Sequence, residues 1–130
     1  MAVLAGCSQS NAVDKIEFEN RVEGIVTQVV DGDTWYMDTE EERVRAWGYD
    51  TPECNRNTTC PTADHTIKVT ELIMGEHLTC EWVGRRRSFD RKVVRCYLDD
   101  GTDIGKVMID AGVAVEDCDF SKNFWGNCPD

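Results

Sequence analysis

The hydrophobic period changes several times along this chain, and that order restricts the folds open to it. "RVEGIVTQVV" (21–30) is rich in β-branched residues and reads as a strand. "DGD" (31–33) is a turn, with Gly32 placed to take positive φ. "TWYMD" (34–38) resumes as a second strand, and "TEEE" is a polar turn. "RVRAWGY" (43–49) is a third strand, in which Val44, Ala46 and Tyr49 are set against Arg43 and Arg45; Pro52 stops any further ladder. The period then lengthens. Ala63, Ile67, Thr70 or Glu71, and Met74 recur at helical spacing, with Gly75 as the C-cap. "LTCEWVG" (78–84) and "KVVRCYL" (92–98) return to strand, joined by an arginine-rich turn. "TDIGKVMIDAGVA" (102–114) is a second helix, capped by Thr102, lined by Ile104, Val107, Met108 and Ala111, and ended by Gly112.

Five strands with a helix after the third suit a mainly β fold. The expectation is a five-stranded Greek-key barrel of the OB type packed with two or three α-helices. A chain of 130 residues suits one domain with one core. Residues 20–130 are assigned to that domain, and residues 1–19 to a flexible or signal-like segment. The residues after Phe120 are expected to be flexible as well.

Formal charge is −11, from 14 Lys and Arg against 25 Asp and Glu. Taken alone, that argues against a phosphate-rich partner. The basic charge is concentrated, however. "GRRRSFDRK" (84–92) holds Arg85, Arg86, Arg87, Arg91 and Lys92. Arg85 to Arg87 read as a solvated hairpin tip or as phosphate contacts.

Seven cysteines leave one over if the rest pair. "LAGC" (4–7) resembles the lipobox of bacterial lipoproteins, in which the cysteine becomes lipidated after cleavage. Removing Cys7 leaves six. Only six residues precede it, without Lys or Arg, so either the start lies upstream or the match is chance. Six cysteines allow fifteen pairings. Placement in successive strands suggests Cys80 with Cys96, and short loops suggest Cys54 with Cys60 and Cys118 with Cys128. An exported, oxidised setting follows: periplasmic, secreted or lipid-anchored. Zinc is the weaker reading, since there is no Cys-x-x-Cys. His65 and His77 read as surface residues of a helix and its exit.

Asp31, Asp33, Asp50 and Glu53 lie in one short stretch with Arg45, and Arg91 opens the fifth strand. Asp31 and Asp33 about Gly32 could by themselves form only a tight turn. Together, carboxylates, a hard cation and two arginines supply what phosphodiester cleavage needs: a positioned water, a base, and positive charge on the crowded phosphorus. Arginine suits the task because its planar fork pairs two phosphate oxygens. Trp35, Tyr36 and Trp47 could stack bases, but strand aromatics belong more often to the core, the reading preferred for Trp47.

"VVDGDTW", "RVRAWGYDTPEC", "SFDRKVVRCYL" and "DGTDIGKVMIDAGVA" occur in an order that resembles the staphylococcal nuclease (thermonuclease) family, over most of residues 24–114. The resemblance implies an OB-type barrel that cleaves DNA and RNA with calcium, leaving a 5′-hydroxyl and a 3′-phosphate. It implies Asp33 and Asp50 as calcium ligands, with the Thr51 carbonyl as a third. Glu53 becomes the general base for the attacking water, or orients it. Arg45 and Arg91 bind the phosphate and stabilise its transition state, with Arg87 the alternative to Arg91. Asp31 falls just outside the metal's ligands. The substrates are expected to be DNA and RNA, preferably single-stranded, and the protein a monomer. The alternative is a non-catalytic barrel that binds single strands or a protein. Ser88 and Phe89 stand where the staphylococcal protein has Lys and Tyr, and that protein is basic and cysteine-free.

Overall fold

The structure, a computed structural model, describes residues 13–129. Cys7 lies outside the described residues. The strands are β1 (Arg21–Asp31), β2 (Thr34–Met37), β3 (Val44–Ala46), β4 (Tyr49–Asp50), β5 (His77–Ser88), β6 (Arg91–Leu98) and β7 (Val115–Glu116). The α-helices are α1 (Asp64–Ile73), α2 (Ile104–Asp110) and α3 (Cys118–Ser121). The fold is therefore mainly β. The expected order holds as far as α2, except that the third strand, read as 43–49, is broken into β3 and β4; β7 and α3 are additions to it.

The ladders run β1–β2–β3–β6–β5 and return to β1, so the five strands form a closed cycle. β3 and β6 pair in parallel; the other neighbours are antiparallel. β4 and β7 form a separate two-stranded ladder. Alternation along β1 puts Val22 and Val26 inside and Glu23 and Ile25 outside. They join Trp35, Met37, Val44, Ala46, Leu78 and Val94 in one core, which Val69 and Ile73 of α1 and Ile104 and Met108 of α2 cover. Trp35 and Trp47 are both buried, so neither is free to stack a base, while Tyr36 is half-buried.

The helix edges differ from the sequence reading. α1 buries His65, Thr66, Val69 and Ile73, while Ile67 and Met74 are exposed. The buried face also has helical spacing, but its first two residues are polar, so an apolar count chose the neighbouring face. Asp103, not Thr102, caps α2: its carboxylate accepts from Gly105 N at 3.0 Å and Lys106 N at 3.4 Å. Thr102 is tied instead to Asp100. Gly75 and Gly112 do follow their helices in the left-handed region, at φ 77° each.

All three disulfides join the expected partners: Cys54–Cys60, Cys80–Cys96 and Cys118–Cys128. Cys80 and Cys96 face each other directly across the β5–β6 ladder. Such cross-links belong to an oxidising, exported setting. Among the described residues, no helix is long and apolar enough to cross a membrane.

The residues after Phe120 are packed rather than loose. Trp125 docks against the core, and its indole donates to Asp103 at 2.8 Å. Val13–Lys15 and Phe18–Asn20 form two short 3-10 turns, and Ile16 between them is buried. Arg85 and Arg86 are not at a hairpin tip. The tip is Phe89–Asp90, both left-handed, at φ 49° and 70°. The two arginines sit on a bulge further back along β5.

Candidate active site

Chain segments remote in sequence meet at one cleft. The ends of β1 and β2 and their turn bring Asp31, Asp33 and Thr34. β3 brings Arg45, while β4 and the residues after it bring Asp50, Thr51 and Glu53. The β5–β6 hairpin brings Phe89 and Arg91. With Pro52 and Cys54, these residues line a cavity of about 590 Å³. Asp33, Arg45, Asp50, Thr51, Glu53 and Arg91, the residues that the resemblance assigns to metal and phosphate, all line this cavity, whereas Arg85 and Arg86 do not. Arg87 does not: it stacks over Trp82 and donates to the Asp90 carbonyl, which leaves Arg91 as the second arginine of the cleft.

The β1–β2 turn is fixed from two sides. The Gly32 amide donates to His65 Nδ1 at 3.1 Å, and the Tyr49 hydroxyl donates to the Gly32 carbonyl at 2.7 Å. His65 is 3% exposed, so it is a buried acceptor and not a surface residue. His77 is only half-buried and pairs with Asp99. Gly32 does not take positive φ. Its glycine is needed for close approach, because a Cβ there would meet His65 Cβ and Nδ1 at 2.7 Å and Thr51 Cγ2 at 2.8 Å. Asp31 closes the turn by accepting from Asp33 N at 3.2 Å.

Arg45 joins the two proposed metal-binding carboxylates. Its Nη2 is 2.6 Å from Asp50 Oδ1, and its Nη1 is 3.5 Å from Asp33 Oδ2. Nη1 also donates to the carbonyls of Ala46 at 2.6 Å and Tyr49 at 3.1 Å. The guanidinium is therefore oriented by backbone as well as by charge. Thr34, almost fully buried, donates to Asp33 Oδ1 at 3.0 Å and accepts from Arg91 Nη1 at 3.2 Å. Ser88 completes the support of Arg91: its carbonyl and hydroxyl accept from Nε and Nη2 at 3.0 Å each.

Burial works against the charge on both Asp33 and Arg91. Burial pushes the Asp33 carboxyl above its usual value; Arg45 pulls it back down, and the adjoining Asp31 adds to the rise. Burial also lowers Arg91, and repulsion from Arg45 and Arg43 lowers it further. A cation beside Asp33 and an anion beside Arg91 would relieve both. The donor types fit a hard cation: Asp33 and Asp50 are two carboxylates within reach of one guanidinium. Thr51 already touches Asp33 Oδ2 through its hydroxyl at 3.3 Å.

Glu53 is exposed, and among the described residues its carboxylate has no hydrogen-bond or ion-pair partner. It lines both this cleft and a neighbouring cavity of about 710 Å³ that runs to Ala63, Asp64 and Val113. The Cys54–Cys60 disulfide follows it directly and packs against Asp31, all three donor atoms lying within 4.8 Å of one another. The sulfurs are bonded to each other, so this group is a clasp on the loop and not a metal centre.

Tyr49, Thr34, Ser88 and His65 are the supporting residues that motif reading missed. Thr34 stood inside "DGDT", where its position next to Asp33 was a usable signal. His65 gave none, because its partner Gly32 is 33 residues away. No family model matches the chain, and neither does any curated protein.

Proposed function

We propose that this protein is a calcium-dependent nuclease of the thermonuclease type on an OB-type Greek-key barrel, exported from a bacterial cytoplasm. It cleaves DNA and RNA, preferably single-stranded, to 3′-phosphate products. The observation that carries this reading is the convergence of Asp33, Arg45, Asp50, Thr51, Glu53 and Arg91 on one cleft. A solvated surface has no reason to gather two supported arginines around a half-buried carboxylate.

In this reading Arg45 and Arg91 take the nonbridging oxygens of a phosphodiester, each held by neighbours that keep its fork in place. Glu53 accepts a proton from a water or orients it for attack on phosphorus. The P–O5′ bond breaks, the departing oxygen takes a proton from solvent, and the phosphate stays on the 3′ side. Asp33, Asp50 and the Thr51 carbonyl would hold calcium, which supplies charge neutralisation and water positioning when bound. Arg45 releases part of its grip on Asp50 to reach the phosphate.

A second reading is a non-catalytic module that binds single strands or a protein. The observation that favours it is that both terminal nitrogens of Arg45 are already engaged within the protein, by two carboxylates and two carbonyls. Cleavage of single-stranded DNA by the oxidised protein, with calcium and then with a chelator, separates the two. Calcium-dependent cleavage that falls by roughly two to four orders of magnitude in Glu53→Ala supports the nuclease. Calcium binding without cleavage selects the module. Lipid attachment through Cys7 is tested by mass spectrometry of the native protein.

A further inference from the structure

In a chain of formal charge −11, three cations surround one indole. The guanidinium carbons of Arg85 and Arg87 lie 5.0 and 5.1 Å from the Trp82 ring centroid, and Lys92 Nζ lies 4.7 Å from it. Arg86 stacks on Phe120 at 4.3 Å. Among the described residues, Glu40 is the carboxylate that pairs with this group, through Lys92 at 2.9 Å. Arg85 is held by neutral acceptors instead, the Glu19 carbonyl and the Asn20 side chain. The arginines are positioned but not neutralised.

The backbone is distorted to achieve this. From Trp82 to Arg87, β5 advances five residues while its partner β6 moves two, from Val94 to Lys92. Gly84 and Arg85 are both left-handed, at φ 60° and 54°. Trp82 Nε1 staples the bulge by donating to the Arg86 carbonyl at 2.7 Å. A bulge of this kind re-aims side chains, and a left-handed arginine persists only where surrounding structure imposes it. Here it imposes a cluster of like charges, whose mutual repulsion an anion would relieve.

We propose that the β5 bulge is a second phosphate-binding surface, an exosite for the backbone of a single-stranded nucleic acid bound at the cleft. The proposal rests on the nuclease reading for its substrate. Cross-strand partners share a face of a ladder. Arg87 pairs with Lys92, and Ser88 pairs with Arg91 one position on, so the two pairs face opposite ways. The Arg85, Arg87 and Lys92 charges around Trp82 and the cleft arginine therefore occupy opposite faces of one hairpin, with Arg86 held on Phe120 beside them in the bulge. Phe89 stands at the tip between them, 89% exposed and able to stack a base. A long strand rounding that tip reaches both sites; a dinucleotide reaches only the cleft. The acidic remainder of the surface repels a polyanion, which focuses binding on this hairpin.

The test uses the full, oxidised chain. Affinity for a long labelled single-stranded DNA is measured in chelator across a salt series, and cleavage of a dinucleotide substrate is measured in calcium. Arg85→Glu with Arg86→Glu is expected to weaken strand affinity roughly tenfold or more and to reduce the log–log salt slope by about 0.7 per lost phosphate contact. Dinucleotide turnover stays unchanged. Arg86→Gln, whose side chain makes none of the contacts to Glu19 or Asn20, gives the smaller shift in the same direction and guards against misfolding. Unchanged strand affinity and slope in both variants overturns the exosite, as does equal loss on the dinucleotide. Wild-type binding to phosphatidylglycerol vesicles without binding to DNA overturns it in favour of a membrane-facing surface. Failure of the wild type to cleave either substrate removes the nuclease reading, while the affinity measurements in chelator still judge the exosite.

Discussion

The Tyr49 hydroxyl donates to the Gly32 carbonyl at 2.7 Å, from a side chain that is 1% exposed. This bond ties β4 to the turn that carries Asp33. Burial, together with the nearby Asp33 charge, raises the Tyr49 hydroxyl well above its usual value, so it remains a donor at any working pH. Tyr49→Phe leaves a buried carbonyl without its donor. The expected loss is about 1–3 kcal/mol of stability, with turnover reduced because Asp33 is less firmly placed. Denaturant unfolding and calcium-dependent cleavage measure the two effects; unchanged values for both would show that the turn is held without Tyr49.

Much of the scaffold was legible because strand and helix periods differ. The first strand is legible from a run of β-branched residues, the other strands of the five-stranded sheet from apolar runs between turns, and the cysteine pairs from their placement. Local motifs also named the cleft residues, since Asp50, Thr51 and Glu53 follow one strand within four positions. Long-range polar contacts were not legible. His65 looks like a surface histidine until Gly32 is seen against it, and Arg85 looks like a hairpin tip until the ladder shows three extra residues in β5. The tail after Phe120 was misread for the same reason. Glu116 reads as one more acidic residue, yet it organises that segment.

The Cys54–Cys60 bond should matter more to activity than to folding. It closes a short loop directly after Glu53 and abuts Asp31. The loop also holds itself, since Thr58, Thr59 and Cys60 amides all donate to the Asn55 carbonyl. Cys54→Ser with Cys60→Ser is expected to fold, at a loss of about 2 kcal/mol, while turnover falls several-fold further than in a matched control lacking Cys118–Cys128. Thermal melts and cleavage rates of both double variants compare them. Equal activity in the two would show that the clasp does not position Glu53.

Arg45 is a stringent position. Its two terminal nitrogens address different carboxylates and two carbonyls at once. A lysine offers one point charge and cannot divide it between those partners. Arg45→Lys is expected to retain the fold and lose roughly two to three orders of magnitude in turnover, the scale for removing one preorganised charge stabiliser. Far-ultraviolet circular dichroism and steady-state kinetics report the two. Near-wild-type turnover would exclude Arg45 from the transition state.

Glu116 supplies the pH dependence of the C-terminal segment. Burial by itself would raise its carboxyl, but Ser121, the amides of Trp125 and Asn127, and the Asn127 side chain all donate to it, and the net direction is down from the ordinary value of 4.5. A carboxyl depressed in the folded state adds stability that is fully present above the unfolded value and is lost as pH falls through the folded one. The wild type is therefore expected to lose stability below about pH 4.5. Glu116→Gln should be destabilised at neutral pH by roughly 1–3 kcal/mol, because a neutral amide accepts fewer and weaker bonds. The gap between the two melting curves should then narrow progressively through the acid range. A gap that stays constant from neutral to acid pH would mean that the Glu116 charge is not what these donors stabilise.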